Sequence, residues 1–180
     1  LHKAGEAMTE ADWGETVDEV LDEAVGQEEM SAHVGRMWVE RSVKRNDWSF
    51  LDRLGELLED DEIGEEALMA TLDSVAFPAK AEKLYEVMKR FDGPLRDSNR
   101  LWSKVGEVLI NVGNYSSAQG WTSDWRKREI DQGFLYHPAA VAARLVGRDA
   151  EAYEICDKAL SLEPDSSTSD FHVWMAFEDA

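Results

Sequence analysis

The sequence predicts an all-α fold, an array of short antiparallel helix hairpins, on three observations. Apolar residues recur every three to four positions from Thr9 onward and never alternate as a half-buried strand requires. The breaks between these stretches are short and carry Gly, Pro or Asn, as at Asn46-Asp47, Ile63-Gly64, Phe77-Pro78, Gly93-Pro94, Gly113-Asn114, Gly147-Arg148 and Pro164-Asp165. Part of the second half also superposes on itself at a shift of 34 residues.

The first helix is expected over 9–25, where Trp13, Val17, Val20, Leu21, Ala24 and Val25 share one face and carboxylates fill the other. Thr9, with Asp12 three residues on, supplies its cap. Helices are then expected over 28–45, 48–59, 65–75, 79–91, 98–112, 116–130, 136–146, 150–162 and 168–177. Links this short between helices of about three turns force antiparallel neighbours, the unit from which bundles and solenoids are built.

At the 34-residue shift Trp102 falls on Tyr136, Gly106 on Ala140, Leu109 on Ala143, Val112-Gly113 on Val146-Gly147 and Ala118 on Ala152. The run from Leu145 to Tyr153, followed by Lys158-Ala159-Leu160 and Pro164, completes a pattern of large aromatic, small residue, turn glycine and small residues. This pattern resembles the tetratricopeptide repeat family. The resemblance implies an α-α superhelix, a right-handed solenoid of about five helix hairpins, in one array over 1–180. The clearest repeats would be 98–131 and 132–165, with degenerate copies in 1–97 and a partial hairpin over 166–180. Small residues at Gly106, Ala140, Ala152 and Ala159 would let helix backbones approach closely.

Composition narrows the function classes. The chain of 180 residues holds 38 Asp and Glu against 19 Lys and Arg, a net charge of −19, with 43% hydrophobic residues. No apolar run of membrane-spanning length is present. The acidity argues against nucleic acid, whose phosphates need a surplus of Lys and Arg. Residues 1–66 carry 20 acids and 6 bases, so the first third favours basic partners. The one cysteine, Cys156, cannot form an intrachain disulfide, and a cytoplasmic location is expected. Leu1 is not an initiator methionine, so a stretch of a longer or trimmed product is expected.

Chemical centres are weakly represented. Asp60-Asp61-Glu62 with Glu65 and Glu66 reads as a solvated acidic turn beside Gly64, because charges this dense stay hydrated unless paired. Glu29 and His33 share a helix face without a third ligand, and His137 and the Asp170 and His172 pair are no better placed. Cys156, between Ala152 and Ala159, reads as a small buried hydrophobe. No Gly-rich phosphate loop, nucleophile elbow or zinc-protease motif is present, so neither an enzyme nor a cofactor is expected. Of the seven tryptophans most are read as packing residues, and for Trp121 and Trp125, four apart on one face beside Arg126-Lys127-Arg128, core packing is favoured over a ligand platform.

Arg96, Arg100 and Lys104 recur every four residues as a basic stripe. The resemblance implies that first helices line a concave groove, which would place Arg100, Ser103, Lys104, Glu107 and Asn111 there, with His137, Val141 and Arg144 from the next hairpin. The function implied is a scaffold or adaptor module that binds a peptide or protein segment. The alternative is a self-association or spacer domain of a larger protein whose catalytic part lies outside this stretch, with a homo-oligomer joined through the apolar Phe171, Trp174 and Phe177.

Overall fold

The computed structural model describes residues 31–58 and 61–162, together with 16, 17, 19–21, 23 and 24. Among the described residues the secondary structure is all helical, with no strand, as the periodicity requires. The helix expected over 168–177 and the Thr9 cap lie outside the described residues. The chain divides into two compact units, residues 1–74 and 75–180.

In the first unit, residues 16, 17, 19–21, 23 and 24 are helical, and Leu21 is buried. Helix α1 (Ala32–Lys44) starts where the Ser31 hydroxyl accepts from the Val34 amide at 3.4 Å. It ends at Asn46, whose φ of 56° reverses the chain while Asn46 N–H and Asp47 N–H bond back to Val43 and Ser42. Helices α2 (Phe50–Leu57) and α3 (Asp61–Val75) follow. Trp38 meets Phe50 edge to face at 5.7 Å, and Val39, Leu51, Leu54, Leu68 and Leu72 complete a dry core. Arg36 fixes α1 against α3 through Asp73 at 3.4 Å and Glu66 at 3.9 Å.

Gly64 corrects one expectation, because it does not break the chain. Helix α3 begins three residues earlier and runs through it, and a Cβ there would stand 2.8 Å from Leu58 Cα and 2.9 Å from the Leu57 carbonyl oxygen. The glycine permits a close approach to the end of α2. Asp61, Glu62, Glu65 and Glu66 therefore ride on the first turns of a helix rather than on a turn.

The second unit opens with Phe77 extended before Pro78 and a 3₁₀ turn over Pro78–Lys80. Helix α4 (Ala81–Arg90) is followed at once by α5 (Asp92–Asp97), where the sequence suggested a turn. Pro94 falls in the first turn of α5, the position a helix tolerates, and Leu95 buries fully. Helix α6 (Asn99–Asn111) packs on α7 (Tyr115–Trp121), and α8 (His137–Leu145) packs on α9 (Asp149–Leu162). Helix α8 also lies against α6 and α7.

The helix expected over 116–130 is shorter than its periodicity suggested. After Trp121 the chain tightens into a 3₁₀ segment, Thr122–Lys127, and Arg128 is extended. Side-chain bonding accounts for the change, since Asp124 accepts from Trp102 Nε1 at 3.0 Å and Trp125 Nε1 donates to Glu151 at 3.2 Å. A second 3₁₀ turn, Gly133–Tyr136, leads into α8.

The 34-residue correspondence appears in burial and in cap geometry. Trp102 and Tyr136, Leu109 and Ala143, and Ala118 and Ala152 are all buried to within 1%. Gly113 and Gly147 have φ of 82° and 78°, and each closes its helix with the same pair of bonds. Gly113 N–H reaches Ile110 and Asn114 N–H reaches Leu109; Gly147 N–H reaches Arg144 and Arg148 N–H reaches Ala143.

Candidate functional site

The face proposed from the sequence lies on α6 and α8. Ser98 starts α6 by accepting from the Leu101 amide at 3.2 Å, which puts Arg100, Lys104, Glu107 and Asn111 within about 60° of one another around the helix. His137, Val141 and Arg144 share a face of α8 by the same spacing. The two helices come close because Gly106 has no side chain. A Cβ there would meet Pro138 Cβ and Thr122 Cγ2, each at 3.0 Å.

Arg100, Glu107, Asn111 and His137 are exposed, and Val141 is half-buried. Lys104 lies largely covered and bonds Glu107 at 3.1 Å; Arg144 pairs with Asp149 at 2.8 Å. Ser103 differs from expectation, since only 8% of it is exposed: it sits at the edge where α6 turns toward its packed side. Glu107 acts across the interface on His137. Desolvation lowers the imidazole pKa below its ordinary value even though the residue keeps solvent access, and the Glu107 charge partly opposes this. The face thus carries charged donors and acceptors on both helices, with Val141 between His137 and Arg144 in the sequence of α8.

The basic stripe is not continuous. Arg96 belongs to α5, and the extended Ser98 interrupts the helical register before Arg100. Arg96 instead bonds Asp92 at 3.0 Å and stacks over Trp121 at 4.0 Å.

Behind this face stands an arginine and tryptophan framework that the sequence reading placed only as packing tryptophans beside basic residues. Arg128 lies over Trp102 at 4.6 Å, pairs with Asp124 at 3.0 Å, and donates to the Arg96 carbonyl at 2.9 Å and Asn99 Oδ1 at 3.2 Å. Trp121 Nε1 donates to the Trp102 carbonyl at 2.9 Å. Trp121 and Trp125, 5% and 4% exposed, do not share one helical face as their spacing suggested, because the winding changes between them. Trp125 meets Tyr136 edge to face at 6.3 Å and carries Arg126 at 4.3 Å.

Arg126 joins the 3₁₀ segment to α9 through Glu154 and Glu151. Its hydrogen bond lowers the Glu154 pKa. Burial tends to raise Glu151, but bonds from Trp125 and Arg148 and the two nearby guanidinium charges bring it below its usual value. The signal available in the sequence was Trp121-x-x-x-Trp125-Arg126-Lys127-Arg128, which gives the residue types but not which ring each cation covers.

Cys156 is 1% exposed, and burial, assisted by the Asp157 charge, pushes its thiol up to about 12. His33 is exposed on α1, while Glu29, Asp170 and His172 lie outside the described residues. So do Phe171, Trp174 and Phe177. Among the described residues, no three His, Cys, Asp or Glu side chains are grouped to hold a metal ion, and no helix is long and apolar enough to cross a membrane.

No protein-family model matches the chain, and neither a curated protein nor a solved structure matches it.

Proposed function

We propose that this protein is a binding module of the cytoplasm, without catalytic activity, that holds a peptide or protein segment on the combined face of α6 and α8. In this reading α6–α7 and α8–α9 are consecutive hairpins of a superhelical array similar to tetratricopeptide repeats, and their first helices form its concave side. The supporting observation is the close approach at Gly106 and Pro138, which sets Glu107 beside His137 and makes one surface of two helices. Exposed charged and polar groups on both helices, with the half-buried Val141 on α8, suit an extended segment more than a small molecule. Selection of displayed peptides on the whole chain tests this. Selected peptides should bind the Arg100→Glu, Val141→Glu double variant at least tenfold more weakly, about 1.4 kcal/mol. Peptides that bind both proteins equally would remove this face as the site.

A further inference from the structure

We draw no further inference here: the strongest candidate, the exposed aromatic patch where Tyr85 of α4 accepts a hydrogen bond from Asn114 beside Tyr115 of α7, is an unpartnered face, and nothing in the structure shows what covers it.

Discussion

Single residues decide how near two backbones stand, and the glycines show it most directly. A Cβ on Gly133 would lie 2.4 Å from the Ala159 carbonyl oxygen, a backbone atom that cannot rotate away. Gly133→Ala should therefore destabilise by about 2 to 3 kcal/mol through overpacking. Gly120, inside α7 with open space around it, should behave oppositely, and Gly120→Ala should stabilise by about 0.5 to 1 kcal/mol. Urea denaturation of the two variants checks the pair, and equal effects would contradict the close approach. The sequence marked Gly106 as a small residue at a contact, and the structure places it at one. It gave no such indication for Gly64 or Gly133, because a glycine between helical stretches looks the same whether it turns the chain or admits a neighbour.

Cys156 gives a second test at this scale. Its folded pKa lies above the ordinary thiol value, so the native state holds the proton longer than the unfolded chain does. Its contribution to stability is complete below the unfolded pKa and is lost as pH rises from that value toward about 12. At pH 8 the native thiol should react with iodoacetamide far more slowly than free cysteine, with a rate that follows unfolding when denaturant is added. Rapid alkylation of the native protein would show a thiol that is neither buried nor neutral.

At the scale of elements, the glycine-closed ends of α6 and α8 and the start of α6 were legible in the sequence, while the starts of α1 and α3 and the end of α7 were not. Gly113 and Gly147 end α6 and α8 by one shared motif, and Ser98 caps α6 where the expected 98–112 helix begins, whereas α1, expected over 28–45, starts only after its Ser31 cap. Long-range side-chain bonds were not legible, and they shorten α7 and wind residues 122–127 into a 3₁₀ segment. Periodicity records which positions are apolar, whereas that rewinding follows from Trp102 reaching Asp124 and Trp125 reaching Glu151, residues 22 and 26 positions away.

Arg128 joins these pieces, its side chain only 10% exposed. Arg128→Met removes the pair with Asp124, the bond to the Arg96 carbonyl and the stack on Trp102 together. The half-exposed Asp124 can rehydrate, so the loss should be about 2 to 3 kcal/mol rather than the full cost of orphaning a buried charge. Arg126→Met removes an exposed arginine and should shift the melting temperature much less. Tryptophan fluorescence during thermal unfolding reads both variants, and equal shifts would show that Arg128 is not the joint between α5, α6 and the 3₁₀ segment.

The whole molecule is electrostatically uneven. Residues 1–74 carry 21 acids and 6 bases, whereas residues 75–180 carry 17 and 13. Self-repulsion of like charge opposes compaction, and salt screens it over about 8 to 10 Å at ordinary ionic strength. Raising the salt concentration should accordingly stabilise unit 1–74 more than unit 75–180, with the difference visible in amide exchange of α1 against α8. Equal salt responses would show that the carboxylates of the first unit are already compensated. The charge imbalance could be read directly from the sequence, but the division near Ser74 could not, because it falls near the end of α3 rather than in a linker.

The role of the α6 and α8 face is tested most directly by mapping backbone amide shifts when a selected peptide binds. The largest changes should fall on Arg100 to Asn111 and on His137 to Arg144, and Val141→Glu should abolish them at the same peptide concentration. Shifts confined to α4 or α9, with these two stretches unmoved, would contradict a binding surface built from the first helices of the two hairpins.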